Sequence, residues 1–319
     1  MSKFILAFFL ISAYYMNTWL QYRENRITQT EKTWRLIDVL SSASEFLSDQ
    51  GIENPRLEAE RILGAVLDLE RIDLYVKFDQ PLDHEERQKY KGLLRRRAAR
   101  EPLQYIIGTA EFMSLPFSVN RHVLIPRPET EILVESVIAQ YRESSPDILD
   151  IGSGSGAVGV SLAYYISNAR VTGIDISQEA LEVSEKNACV NNVQGRTVFS
   201  KGDIFNLDAF NAAPGAFDAI VSNPPYVSNA EWPTLQREIT EHEPRNALVA
   251  DKEGLACYPY IVRYAAKKLK GGGMLAVEVG CGQADRVAEL FRKHGFRGLS
   301  LHNDYNSIPR VVSGYTGQS

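Results

Sequence analysis

The sequence predicts an α/β protein with a doubly wound, mostly parallel sheet of seven strands, preceded by a small helical bundle and joined to it by a β-hairpin. Three observations carry that expectation. From Pro128 onward, short apolar runs alternate with segments of helical period, the order that builds parallel sheets through right-handed crossovers. The first of those runs, "DILDIG", ends in a turn containing three glycines. Ahead of it, residues 33–100 repeat their apolar positions every three or four residues.

In chain order, Trp34, Ile37, Leu40, Phe46 and Leu47 form a first apolar stripe. Leu57, Ala59, Ile62, Leu63, Val66 and Leu67 form a second, opened by Pro55, whose fixed φ and missing N–H suit a first helical turn. "DLYVKFDQPL" interrupts the pattern and "DHEERQKYKGLLRRRAAR" resumes it, acidic residues first and basic ones last, as the helix dipole favours. Its basic tract from Lys89 to Arg100, with Lys91, Arg95, Arg96 and Arg97, reads as a solvated face, docking of a partner or of RNA being the alternative. Residues 31–101 are therefore expected to be a helical domain. Residues 102–124 alternate apolar and polar positions around Gly108 and Pro116, as a hairpin connector does. Residues 125–319 then run through a helix near Glu129 to Tyr141, strand "DILDIG", helix "AVGVSLAYYI", strand "RVTGIDI", helix "QEALEVSEKNACVNN" and strands "TVFSKGD" and "FDAIVSN". A helix from Gly254 to Leu269, strand "GGMLAVEVG", a helix from Gln283 to His294 and two closing strands complete the series.

Composition excludes several classes. With 44% hydrophobic and 24% charged residues the chain is an ordinary globular protein, and its net charge of −5 argues against a general grip on nucleic acid. Cys189, Cys257 and Cys281 show neither CxxC nor Cys/His spacing, so no disulfide framework and no metal site is expected. Residues 1–30 stand apart as an N-terminal extension. Its apolar run from Phe4 is shorter than the roughly 20 residues of a membrane span and nearer a secretory core, but no small-x-small cleavage site follows. A true extension, an over-long start and a signal are the three readings of it, and a cytoplasmic location is expected.

In "DILDIGSGSGAVG", Gly152, Gly154 and Gly156 allow tight curvature and close backbone approach to a ligand. Gly154, Gly156 and Gly159 also match the dinucleotide pattern, and Asp175 ends the next strand where a ribose-binding acid belongs. Asp150 separates the two readings. A carboxylate there is a poor neighbour for pyrophosphate but suits a cation, and S-adenosylmethionine carries an amine and a sulfonium. Asp175 would accept its ribose hydroxyls, Asp203 the adenine amino group, and Ile204 would pack the ring. Capping of a turn or a helix is the alternative for Asp150 and Asp203.

"VSNPPYVS" ends an apolar strand on Asn223, at the carboxyl edge where an open α/β sheet keeps its chemistry. Pro224 and Pro225 fix φ and remove two donors, leaving rigid carbonyls. The Asn223 amide oxygen and the Pro224 carbonyl match the two coplanar N–H groups of an amide or exocyclic amine, and Tyr226 offers a flat face. These four are the candidate catalytic and substrate-binding residues. The clamp accepts a side-chain amide or an adenine amino group alike, and a dehydrogenase using the glycine turn alone would leave it without a role.

"DIGSGSG" with Asp175 and "NPPY", together with "QYIIGTAEFMSLPFSVN" and "LIPRPETE" from Leu124 to Glu131, resembles the peptide chain release factor glutamine N5-methyltransferases, over roughly residues 33–314. The resemblance implies a class I, Rossmann-like methyltransferase domain and a helical domain that orients the substrate. It further implies S-adenosylmethionine as cofactor and, as partner, a class I release factor methylated on the glutamine of its Gly-Gly-Gln loop. Gly152, Ser153, Gly154, Ser155, Gly156 and Asp175 then become cofactor contacts with Asn223 near the cofactor, beside the Asp150, Asp203 and Ile204 that the residues themselves suggest. Asn223, Pro224, Pro225 and Tyr226 become the glutamine clamp, with Phe112 and residues 127–131 at its entrance. Ser153 and Ser155 stand where relatives often have Thr, another small hydroxyl. A monomer with no stable nucleic-acid or membrane partner is expected.

Overall fold

The computed structural model describes residues 34–210 and 216–317, so the expectations for residues 1–30 lie outside the described residues. The chain divides between Ala98 and Ala99 into two compact units.

The first unit is helical: α1 (Leu36–Asp49), α2 (Pro55–Leu67), α3 (Arg71–Val76) and α4 (His84–Ala98). Its core differs in register from the expected stripe. Leu36, Val39, Leu40, Ala43 and Leu47 face inward, whereas Ile37 and Phe46 are exposed, because the chain enters α1 through backbone bonds from Leu36 to Gln80 and from Leu82 to Trp34. The stretch expected to break the helical pattern begins inside α3, whose Arg71 and Tyr75 both donate to the fully buried Glu60 at 2.6 Å. The basic tract is only partly a solvated face: Arg97 is buried and pairs with Glu58.

The second unit opens with the short α5 (Leu103–Ile107), which the alternation in that region concealed, and the hairpin β1 (Thr109–Phe112) and β2 (Leu115–Ser118). After α6 (Pro128–Tyr141) come β3 (Asp147–Ile151), α7 (Ala157–Tyr165), β4 (Arg170–Asp175), α8 (Gln178–Val190), β5 (Thr197–Lys201) and β6 (Phe217–Ser222). Then follow α9 (Arg237–His242), α10 (Tyr258–Lys268), β7 (Leu269–Glu278), α11 (Ala284–Lys293), β8 (Arg297–Asn303) and β9 (Pro309–Tyr315). The seven strands are ordered β5-β4-β3-β6-β7-β9-β8, and β9 pairs antiparallel with both neighbours. Strands buried on both faces, such as β3 with its run of Ile148, Leu149 and Ile151, read as continuous apolar segments for that reason.

Strand order reverses between β3 and β6, which lie side by side in parallel register with Ile151 opposite Ser222. The residues that follow these two strands therefore meet at the topological switch point, where open α/β sheets bind ligands. Those residues are Gly152 and Asn223.

Candidate active site

Gly152, Gly154 and Gly156 all adopt positive φ, so the turn after β3 folds back in a way residues with a side chain rarely do. Its backbone is anchored on the next strand, Gly152 and Ser153 donating to the Ile174 carbonyl at 2.8 and 3.0 Å. The turn also presses against its neighbours. A methyl group at Gly156 would stand 3.1 Å from the Ser184 side chain, and one at Gly152 3.9 Å from the Asn223 carbonyl. The cofactor turn and the clamp are in contact distance through a glycine.

Asp175, at the end of β4, accepts from the Gly154 N–H on one oxygen at 2.8 Å and from the Ser177 N–H on the other at 2.9 Å. A carboxylate has about four acceptor positions, so two remain for hydroxyl donors. Asp203 accepts from Phe205 N–H at 2.8 Å, the capping role considered for it, and leaves its second oxygen to the cavity. Asp150 stands elsewhere. It is 1% exposed beneath the turn, takes the Gly159 N–H on Oδ2 at 3.1 Å, and burial pushes its carboxyl up to about 7.

A cavity of about 300 Å³ opens at the switch point. Among the expected residues, Gly152, Gly154, Asp175, Asp203, Ile204, Asn223 and Pro225 line it. Asp150, Ser153, Ser155, Gly156, Pro224, Tyr226 and Phe112 do not. Ser153 and Ser155 are buried in the turn: Ser153 Oγ donates to the Asp150 carbonyl, and the Ser155 backbone carbonyl accepts from Asn187. Phe112, expected at the entrance, is 1% exposed and packs edge-on against Phe117 in the core, because the hairpin turns that face inward. Within the other entrance segment, Arg127 pairs with Glu243 at 2.6 Å rather than with Glu129 or Glu131, and Glu131 accepts from the Met113 N–H.

The clamp is held from behind. Asn223 donates its Nδ2–H to the Thr130 hydroxyl at 3.0 Å, which leaves Oδ1 for the cavity. Among the described residues no hydrogen bond is made to the Pro224 or Pro225 carbonyls. Tyr226 donates to Glu278 at 3.1 Å and its carbonyl accepts from Gln283 at 3.0 Å. Burial raises the Tyr226 phenol well above its ordinary range, so it stays a donor.

Several residues here escaped the sequence reading. Phe205, Val249 and Cys257 line the cavity, the Cys257 thiol pushed up to about 12 by burial and so inert. Asn187, fully buried in α8, bonds both backbone groups of Ser118 and the Ser155 carbonyl, tying the hairpin to the cofactor turn. Glu278 had a signal, an acid inside the apolar run "LAVEVG".

The cradle fits S-adenosylmethionine: its glycines leave room for a nucleoside, two acids at strand ends offer acceptors to hydroxyls and an amino group, and the walls between are apolar. Residues 38–108 match the family model of the PrmC N-terminal domain, and residues 128–250 that of the methyltransferase small domain. Fold and site thus define an S-adenosylmethionine-dependent methyltransferase of the doubly wound class. A release factor glutamine methyltransferase of Geobacter sulfurreducens is 42% identical over 291 residues, covering 91% of this chain and 100% of the relative. One of Chlorobaculum tepidum is 39% identical over 89% of this chain and 98% of its own length. The chain belongs to the release factor glutamine methyltransferase family. Among solved structures, a methyltransferase from Pyrococcus furiosus superposes with a TM-score of 0.47 at 17% identity, over 65% of this chain and 91% of that one. Among the described residues no helix is long and apolar enough to cross a membrane.

Proposed function

We propose that this chain methylates the side-chain amide nitrogen (N5) of the glutamine in the Gly-Gly-Gln loop of class I peptide chain release factors, with S-adenosylmethionine as donor. The observation that carries this reading is Asn223 at the switch point, its Nδ2 committed to Thr130 and its oxygen left for a planar donor beside the cofactor turn. Family membership supports the choice of substrate.

Asp175 would take the ribose hydroxyls, Asp203 and Ile204 the adenine, and the turn from Gly152 to Gly156 the remainder, shaped from below by Asp150. When bound, the cofactor supplies a methyl carbon made electrophilic by a positively charged sulfur. The protein's own work is alignment. Asn223 Oδ1 and the Pro224 carbonyl accept the two amide N–H groups, which holds the nitrogen's π-delocalised lone pair toward that carbon. Both acceptors also stabilise the positive charge that grows on nitrogen as its bond forms. The proton leaves to water after transfer, so no side chain need act as general base.

An adenine amino group would offer the same pair of donors. The net charge of −5 and the family membership favour the protein substrate. A cytoplasmic location, where release factors meet ribosomes, belongs to the same proposal, as do a monomeric state and, given the net charge of −5, the absence of a stable nucleic-acid partner. The test is incubation with labelled S-adenosylmethionine and a purified release factor, wild type or with the loop glutamine changed to alanine. Label on the wild type alone is expected; label on both, or on neither, overturns the proposal.

A further inference from the structure

We propose that Ser184 and Asn187, two buried side chains of α8, are positioning residues for the cofactor: they fix the outer half of the glycine turn and so set the affinity for S-adenosylmethionine rather than the rate of transfer. Their role follows from the cavity being the cofactor site and is independent of which nitrogen receives the methyl group.

Ala180, Ser184 and Asn187 of α8, with Asn191 at its C-cap, recur at three and four residues and share one face. Ala180 lines the cavity, Ser184 and Asn187 meet the turn, and Asn191 reaches the hairpin, donating to the Pro116 carbonyl at 3.0 Å. Ser184 and Asn187 are wholly buried. Ser184 Oγ lies 2.8 Å from the Gly154 carbonyl oxygen and 3.2 Å from that of Ala180; a hydroxyl has one proton, and the shorter approach gives it to Gly154. Asn187 Nδ2 donates to the Ser155 carbonyl at 2.8 Å and to the Ser118 carbonyl at 3.0 Å, while its Oδ1 accepts from the Ser118 N–H at 2.7 Å. These partners allow the amide one orientation. Inverted, it would set its oxygen against two carbonyls and its NH₂ against an N–H.

Bonds of this kind aim peptide planes. A planar trans peptide holds its C=O and N–H in opposite directions, so fixing the carbonyls of Gly154 and Ser155 fixes the planes that join 154 to 155 and 155 to 156. Gly154 also donates its own N–H to Asp175 Oδ2, so Ser184, Gly154 and the acid proposed for the ribose form one chain of bonds. The helical ladder of α7 does not hold this half of the turn. A helix begun one residue earlier would give the Gly159 N–H to the Ser155 carbonyl; that N–H goes to Asp150 instead, and Asn187 serves the carbonyl.

The inner half of the turn is anchored separately. Gly152 and Ser153 both donate to the Ile174 carbonyl, and Gly152 is the residue beside Asn223. Loosening residues 154–156 therefore weakens the hold on the cofactor while the acceptor at Asn223 stays in place.

The test measures S-adenosylhomocysteine affinity by calorimetry, together with kcat and the KM values for S-adenosylmethionine and a release factor, in wild type, Asn187→Asp, Asn187→Ala, Ser184→Ala and Asn191→Ala. Asn187→Asp keeps the acceptor for Ser118 and removes both donors. The Asn187 and Ser184 variants are expected to bind S-adenosylhomocysteine roughly tenfold more weakly, the worth of about one hydrogen bond, and to raise the cofactor KM in step. Their kcat at saturating cofactor and their KM for the release factor should match wild type. Asn191→Ala gives up a buried bond on the same face without touching the turn, so it should lower the melting temperature and leave the affinity unchanged. A folded variant of either residue that binds as tightly as wild type overturns the assignment of that residue; a loss that falls on kcat instead, or an Asn191→Ala enzyme weakened as much, overturns both. If Asn187→Asp does not fold, Asn187→Ala and Ser184→Ala decide. A release factor left unlabelled overturns the choice of substrate alone, because the calorimetry stands without it.

Discussion

Gly254 is the position where one methyl group would disturb the clamp most. It holds φ +80°, and a Cβ built there would stand 1.9 Å from the Tyr226 carbonyl oxygen and 2.6 Å from Gln283 Nε2. To open the first gap to 3.0 Å the carbonyl must retreat by about 1.1 Å, and Gln283, which donates to that carbonyl at 3.0 Å, must move with it. In Gly254→Ala the left-handed backbone adds about 1–2 kcal/mol of strain. A shift of that size in the backbone carrying the substrate acceptors is expected to lower kcat by roughly 10²-fold. Gly254 does not line the cavity, so S-adenosylhomocysteine should bind as before. The assay is labelled methyl transfer to a release factor, with calorimetry on the same preparation as the control. An alanine variant that is folded, binds the cofactor product and turns over at the wild-type rate would refute the claim that backbone position at Tyr226 sets the rate.

Other expectations follow from the same geometry. Asn223→Ala should remove most turnover and leave S-adenosylhomocysteine affinity intact; retained turnover would place the clamp elsewhere. Asp175→Ala should do the reverse first, weakening S-adenosylhomocysteine by about 1.5–3 kcal/mol for each charged hydrogen bond lost, read by calorimetry. Asp150 and Glu278, with ordinary values of 3.8 and 4.5, are both raised to about 7 in the folded state by burial, so folding retains protons that the unfolded chain has released. That contribution to stability is complete below the unfolded values and is lost as pH rises through about 7. Thermal melts at pH 6 and pH 8 should show a smaller loss of Tm toward pH 8 in Glu278→Gln than in the wild type, and an equal change in both would contradict the raised value of Glu278.

How much of this could be read in the sequence depended on how local the cause was. The strands from "DILDIG" onward were legible because burial on both faces writes itself as an apolar run, and the glycine turn because glycine adopts positive φ without steric cost and three of them stand within five residues at a strand end. Asn223 was legible because strand end, proline pair and amide all sit within four residues. The register of α1 was not. Its inward face is chosen by the chain entering beside Gln80 and Leu82, a tertiary cause that leaves Ile37 and Phe46 exposed despite their period. The wall of the cavity from Asn246 to Val249 lies in a segment without helical or strand period, so nothing announced it. Asn187 bonds the hairpin from 69 residues away, and its role exists only once α8 meets β2. Glu278 showed as a lone acid in an apolar strand, but its tie to Tyr226 needed the sheet to bring two distant segments together.

The central claim is tested most directly by finding the atom that is methylated. A release factor treated with the enzyme and S-adenosylmethionine, digested and sequenced by tandem mass spectrometry, should carry one methyl group on the side-chain nitrogen of the Gly-Gly-Gln glutamine, and none when Asn223→Ala replaces the wild type. A methyl group on another residue, or a release factor left unmodified while adenine in DNA or RNA is methylated under the same conditions, would contradict it.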